Sequence, residues 1–252
     1  MPAHLAEGYK SLPQRARLVT EAWVAENMYC PACDRDVLEQ LPTNVKVADF
    51  RCDRCSEKYQ LKSQSRPLGG RVLDSAYGPM EQAIRTGKAP SFLLLHYIGV
   101  TWQIANLLAI PGHFVTESAI QERPPLAPTA RRAGWVGCNI LLDRLPQDGR
   151  IPVIAFGDVL PREDVRKSWK RFTFLRGKTA ETRGWTADVM ACVRTLGKRV
   201  FTLEEVYGFE RDLQALHQGN RHVRDKIRQQ LQVLRDHGIL KFTSRGSYEL
   251  TQ

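Results

Sequence analysis

The sequence predicts a mixed α/β chain in two parts: a helix-and-sheet unit clamped near its start by cysteines, then three helices and a hairpin in the winged-helix arrangement. Three observations carry that reading. Four cysteines form two CxxC pairs, Cys30/Cys33 and Cys52/Cys55. Around and after them come strand-length runs that alternate or are apolar throughout: VKVADF (45–50), EKYQLKS (57–63), SFLLLHYIGV (91–100) and WQIANLLAI (102–110). Beyond residue 184 the apolar spacing turns helical, and the chain ends in the alternating ILKFTSRGSYELT.

Length and charge narrow the class. The 252 residues suffice for one large domain or two smaller ones. A formal charge of +10 and a pI near 9.5 favour a polyanionic partner, most commonly nucleic acid, although basic ribosomal and membrane-surface proteins share that balance. No apolar run approaches a bilayer span and no secretory leader is seen, so a soluble cytoplasmic protein with reduced thiols is expected.

Taken in order, QRARLVTEAWVAENM (14–28) is a helix with Ala16, Val19, Ala22, Trp23 and Ala25 largely on its inner face and Glu21 in solvent. A CxxC turn puts two sulfurs on one side. Two such turns facing one another offer four thiolates at the corners of a tetrahedron with no open position, so Cys30, Cys33, Cys52 and Cys55 are expected to hold a structural zinc ion ahead of forming disulfides. The Cys52/Cys55 turn then joins VKVADF to EKYQLKS as a hairpin. Gln60 and Lys62, two apart, share a face that Asp49 reaches across the ladder. A carboxylate, an amide oxygen and an ammonium around one spot suit a hard cation such as magnesium, with the lysine directing a water at a phosphodiester. A surface strand with solvated polar side chains accounts for the same residues equally well.

After Lys62, SQSRPLGGRVL reads as a basic loop and residues 75–85 as a short helix. The runs at 91–100 and 102–110 are buried strands joined near Gly99 and extending the same sheet, with His96 a packed strand histidine. In ERPPLAPTARRAGWVGCNI (122–140) the prolines exclude regular helix. Arg131 and Arg132, beside Gly134 and Trp135, suit phosphates or guanine edges, or else Trp135 anchors the loop to the core, where Cys138 belongs. A strand over 150–156 precedes the basic cluster Lys167, Lys170 and Arg171. The polar GKTAETRG (177–184) reads as the boundary.

Three helices follow: WTADVMACVRTLG; FTLEEVYGFERDLQALH, with Thr202 as N-cap and Glu205 closing a capping box; and RHVRDKIRQQLQVLRDHG. In the third, Val223, Ile227, Leu231 and Leu234 form the inner stripe, while Arg221, His222, Arg224, Lys226 and Arg228 crowd the N-terminal half that a helix-turn-helix lays in the major groove. Arg245 at the hairpin tip would meet phosphate or the minor groove. A protein-binding winged helix shares the fold, but the density of basic residues favours DNA.

Several passages together make the chain similar to a known family: YKSLPQRARLVTEAWV, the CPAC, VADF and CDRC blocks, LKS, PLAPTARRAGWVGCNI, RGWT and HVRDKIRQQLQVLRD. Over essentially its whole length it resembles the DpnI-like methyl-directed type II restriction endonucleases. That resemblance implies a nuclease domain of the PD-(D/E)xK type with a zinc knuckle over residues 1–178, and a winged-helix DNA-binding domain over 183–252. It implies as substrate duplex DNA carrying N6-methyladenine in GATC, cut on both strands. By position Asp49 matches the family's metal-binding aspartate, Lys62 its lysine and Glu21 a glutamate of the first helix. Gln60 departs, standing where the family has glutamate, and offers one neutral oxygen in place of a carboxylate.

The function expected is therefore magnesium-dependent phosphodiester hydrolysis. Asp49 and Gln60 would hold the cation, Lys62 would position the water, and specificity would be divided between the Trp135 loop and the third helix. The alternative is a methyl-adenine DNA-binding protein or regulator whose cation site Gln60 has disabled. A zinc-ribbon transcription factor fits the hairpin less economically. No protein partner and no membrane are required, and a monomer in solution is expected.

Overall fold

The computed structural model describes residues 1–42 and 48–251. Helix α1 (Leu12–Asn27) starts with Pro13 in its first turn, where a missing N–H costs nothing, and buries Val19, Thr20 and Val24. It packs on a mixed sheet built from β1 (Glu39–Gln40), β2 (Phe50–Arg51), β3 (Lys58–Gln64), β5 (Ser91–Ile98), β6 (Gln103–Ile110), β9 (Ile151–Ala155) and β10 (Asp158–Val159), in that spatial order. β3 and β5 run parallel, and the chain between them holds strand β4 (Arg71–Ala76) and helix α2 (Tyr77–Arg85). β4 joins β8 (Gly137–Leu141) and β7 (Ile120–Glu122) in a second, three-stranded sheet. Helix α3 (Arg162–Lys170) lies against β9.

The C-terminal unit opens with α4 (Ala180–Thr195), followed by β11 (Val200–Thr202), α5 (Leu203–Tyr207), α6 (Glu210–Leu216), α7 (Val223–Asp236), β12 (Leu240–Ser244) and β13 (Ser247–Leu250). Its strands form one sheet in the order β11-β13-β12. This is the expected winged-helix arrangement. The capping box is present: Thr202 Oγ1 accepts from the Glu205 N–H, and Glu205 Oε2 accepts from the Thr202 N–H at 2.8 Å. Val223, Ile227, Leu231 and Leu234 are all buried.

Five expectations change. Of the strand expected over 45–50, residues 45–47 lie outside the described residues, and β2 is Phe50–Arg51. The loop read from SQSRPLGGRVL is only its middle: β3 runs on to Gln64, and Arg71–Ala76 is a strand that buries Val72 and Asp74 in alternation. The second C-terminal helix is two, broken at Gly208 and Phe209, where Phe209 takes a non-helical ψ of 9°. Arg221 and His222 precede α7 instead of riding on it, because His222, at φ −122° and ψ 53°, is the N-cap.

The fifth concerns the boundary. Residues 177–184 are not an independent linker, since α4 begins at Ala180 behind an N-cap hydroxyl from Thr179, and Arg183 is 3% exposed. Trp185, Met190 and Val193 of α4 share one continuous core with Phe92, Ile110, Phe114 and Phe172 of the first part and Ile227 and Leu231 of α7. Polar clasps reinforce the seam: Arg194 grips both carboxylate oxygens of Asp148 at 2.7 and 2.5 Å, and Arg171 donates to the Thr251 carbonyl at 2.6 Å. Arg171, expected in a basic cluster with Lys167 and Lys170, is thus committed to Thr251. Among the described residues no helix is long and apolar enough to cross a membrane.

Candidate active site and nucleic-acid interface

The Sγ atoms of Cys30, Cys33, Cys52 and Cys55 all lie within 4.8 Å of one another, with Cys30–Cys55 at 3.6 Å and Cys33–Cys52 at 3.5 Å. Four thiolates at about 2.3 Å from a tetrahedral zinc ion would stand about 3.8 Å apart. The donor set and spacing fit, so the cluster could hold zinc. Burial pushes the Cys55 thiol up to about 12, so a bound cation would be needed to keep it deprotonated at neutral pH. The cluster also braces its surroundings. The Tyr59 hydroxyl is 3.1 Å from Cys30 Sγ, and its ring, fully buried, packs against Trp169 with centroids 6.0 Å apart. Tyr59 immediately precedes Gln60, so the knuckle pins the root of the strand that carries Gln60 and Lys62.

β2 and β3 pair antiparallel, Phe50 opposite Tyr59 and Arg51 opposite Lys58, and Asp49, just before β2, donates its N–H to the Tyr59 carbonyl at 2.9 Å. The Asp49 carboxylate reaches over the strand end, where its Oδ2 accepts the Leu61 N–H at 2.8 Å. Asp49, Gln60 and Lys62 line one cleft of about 390 Å³ with Arg17, Thr20 and Glu21 of α1. The Thr20 and Ser63 hydroxyls, 3.1 Å apart, fasten the helix to the strand. Glu21, expected in solvent, has a side chain only 14% exposed, held between Arg17 Nε at 2.7 Å and Gln40 Nε2 at 3.1 Å. The same face therefore collects an acid, an amide and an amine, with a second acid at its edge.

Two features of the cleft bear on its chemistry. Gln60 is 7% exposed and its Oε1 has no partner among the described residues, an unusual state for a buried acceptor and one that a cation would relieve. Lys62 Nζ sits 2.7 Å from Oδ1 of Asp74, a carboxylate with no exposed surface at all. Cys138 donates toward the other oxygen, Oδ2, at 3.7 Å; burial first, and then Asp74, pushes that thiol up to about 12. Sequence reasoning missed Asp74 because it fell between a Gly/Pro-bearing loop ending at Leu73 and a helix expected from residue 75. The signal available was the alternation that puts Val72 and Asp74 on one strand face. Glu57 lies off this cleft, paired with Arg176 and accepting from Ser91 Oγ at 2.5 Å.

The remaining expected residues divide between two surfaces. In the β7–β8 loop Arg131 and Arg132 are exposed, and Trp135 is half-buried. Its ring lies on Gly137, where a Cβ would approach the ring carbons to 2.7 Å, and Arg132 covers it with Cζ 4.7 Å from the centroid. Trp135 thus anchors the loop while remaining part of its surface.

On the winged helix, Arg224 pairs with Glu210 at 2.8 Å and overlies the Tyr207 ring; Lys226 is 3.5 Å from Glu181, and Arg228 pairs with Asp225. Such exposed pairs are screened by solvent and weak, so phosphates can compete for these cations. Arg221, His222 and Arg245 are exposed, Arg245 beside Gly246 (φ +74°) at the hairpin tip.

Comparison with known families finds two matches that together span nearly the whole chain. The model of the Dam-replacing family, DpnI, matches residues 1–178, and that of the Dam-replacing HTH domain matches residues 181–250.

Proposed function

The chain belongs to the DpnI-type Dam-replacing family, and on that premise we propose that it is a magnesium-dependent endonuclease cutting duplex DNA that carries N6-methyladenine in GATC. Family membership supports a methyl-directed restriction-type function in general. The observation that carries the finer reading is the buried, unpartnered Oε1 of Gln60 in the cleft shared with Asp49 and Lys62. Asp49 and Gln60 would hold the cation, with Glu21 beside them. When bound, magnesium supplies charge stabilisation to the scissile phosphate. The Lys62 ammonium, steadied by Asp74, orients the water that displaces one ester oxygen, leaving a phosphate end and a hydroxyl end.

Zinc in the four-cysteine cluster is structural in this reading, since all four positions of the tetrahedron are taken by protein sulfurs. Recognition is assigned to Arg131, Arg132 and Trp135 on the β7–β8 loop, and to Arg221, His222, Arg224, Lys226, Arg228 and Arg245 on the winged helix. An N6-methyl group projects into the major groove, where apolar contact can sense it.

The test incubates the protein with plasmid from adenine-methylating and non-methylating hosts, with and without magnesium. Fragmentation of the methylated plasmid alone, and only with the cation, is the expected result. Cutting of both plasmids would remove the methyl-directed reading. Selective binding of the methylated plasmid without cutting would leave a reader of the mark, a role that the neutral Gln60 favours.

A further inference from the structure

A second cavity, of about 260 Å³, opens where the first residue of β3, the segment before β5, the turn after β6 and the start of α4 converge. We propose that it is a binding site for a single phosphoryl oxyanion, distinct from the cleft that holds Asp49 and Lys62. Its lining carries Lys58, Lys88, Arg176 and Arg183 against one carboxylate, Glu57, a balance of +3. Glu57 is already engaged by Arg176 and by Ser91 Oγ, so the other three cations have no acid in the cavity to answer them.

Arg183 makes the case. Arginine is almost never fully buried without a paired acid. Arg183 is 3% exposed, and among the described residues no carboxylate pairs with it. It donates to two backbone carbonyls, Nη1 to Lys178 at 2.9 Å and Nη2 to Ile84 at 2.6 Å, and its Nε–H has no partner among the described residues. Burial holds its guanidinium below the usual range, the direction expected of a charge still short of compensation.

His113 supplies an independent indication. It lines the same cavity, is 9% exposed, and its Nε2 also lacks a partner among the described residues. Burial, with Arg183 close by, lowers it to about 4, so at neutral pH it is an uncharged imidazole able to donate one N–H. Gly87, at φ +70°, keeps the mouth clear: a Cβ there would come within 3.3 Å of Arg183 Nη1. An oxyanion there would be enclosed by two guanidiniums and an imidazole, with two exposed lysine ammoniums at the rim, the pattern of a phosphate site. The volume falls just below the range of ligand cavities, about 300–1,000 Å³, which favours one phosphoryl group over a whole nucleotide.

The occupant can be a free phosphate or one phosphate of a DNA strand. Either would tie α4 to the sheet, because Arg183 belongs to α4 and Lys58, Lys88 and His113 do not. The test titrates inorganic phosphate into the full-length, zinc-loaded protein without magnesium, at constant ionic strength set with chloride, and reads the melting temperature and the ³¹P linewidth. Saturable stabilisation is expected. It should persist in Lys62→Gln and weaken about fivefold in each of Lys58→Gln and Lys88→Gln, the worth of one partly exposed charge contact.

A rise that chloride reproduces would overturn the proposal. So would a response lost in Lys62→Gln, or one unchanged in both rim variants. Anisotropy of an unmethylated duplex with and without phosphate separates the two sources: competition identifies a strand phosphate, and independence a free anion. Because the Lys62→Gln protein serves as the reference, the outcome does not depend on whether the chain cuts DNA.

Discussion

Restoring the family's carboxylate at position 60 tests the candidate cation site directly. In Gln60→Glu the new carboxylate lines the same cleft as that of Asp49, and to share an ion the two must come within about 5 Å of each other. Two carboxylates about 5 Å apart at an effective dielectric near 20 repel by about 3 kcal/mol. Lys62 offers little relief, since its Nζ is committed to Asp74 at 2.7 Å. In magnesium-free buffer the variant should therefore be less stable by about 1–3 kcal/mol, the lower figure applying if the pair retains a proton. With magnesium the sign reverses. The site gains a full negative charge where it had one neutral oxygen, and half-saturation should fall by about tenfold, equivalent to about 1.4 kcal/mol of extra stabilisation at saturating cation. Urea unfolding at several magnesium concentrations reads both quantities, and the metal dependence of plasmid cleavage supplies a third. Equal stability without magnesium, together with equal stabilisation by it, would mean that positions 49 and 60 do not share an ion, and the site would have to be abandoned.

Three further outcomes are expected. His113 is lowered to about 4 against an unfolded value near 6.5, so the unfolded chain binds the extra proton between those values. Its contribution is present above about pH 6.5 and is lost toward pH 4, in total about 3 kcal/mol. His113→Gln should flatten that part of the stability profile in phosphate-free buffer, and an unchanged slope would refute the assignment. Cys33→Ser should release zinc to a colorimetric chelator and destabilise the fold, whereas Cys138→Ser should leave the zinc content unchanged; equal zinc in both variants would exclude the four-cysteine cluster as the site. Gly137→Ala places a methyl 2.7 Å from the Trp135 ring, which must then shift beneath Arg132. A cost of about 1–3 kcal/mol and a changed tryptophan emission are expected, with weaker DNA binding if the loop reads DNA, and an unaltered spectrum would show that the ring does not rest there.

What the sequence made legible was whatever has a short-range physical signature. Two CxxC turns specify a four-sulfur cluster because the spacing itself fixes the geometry. The capping box at Thr202 and Glu205 and the Val223, Ile227, Leu231 and Leu234 stripe are likewise local. The gathering of Gln60 and Lys62 on one face followed from strand parity, and Asp49 followed from a hairpin whose turn was marked by cysteines. What escaped depends on partners distant in sequence. Arg183 looked like part of a polar boundary because nothing nearby reveals that its donors meet the carbonyl of Ile84. Asp74 fell between an expected loop and an expected helix because β8, the strand that pairs with β4, comes more than sixty residues later. Lys226 and Arg224 looked free because their acids, Glu181 and Glu210, lie on other helices.

The Lys62–Asp74 pair joins the two sheets of the first part at a single ionic contact, and its burial constrains how the lysine can act. With Asp74 wholly enclosed and Lys62 only 20% exposed, neither charge can be moved alone without leaving the other uncompensated in a poorly solvated place, a loss of about 3–5 kcal/mol. The amine therefore moves with β4. β4 in turn pairs with β8, whose Cys138 donates to Asp74 and whose first residue, Gly137, carries the ring of Trp135. Contacts thus run without a gap from the arginine-rich loop to the amine in the cleft. In a close-packed interior, a displacement of that loop large enough to lift Trp135 from Gly137 has few ways to relax except through β8.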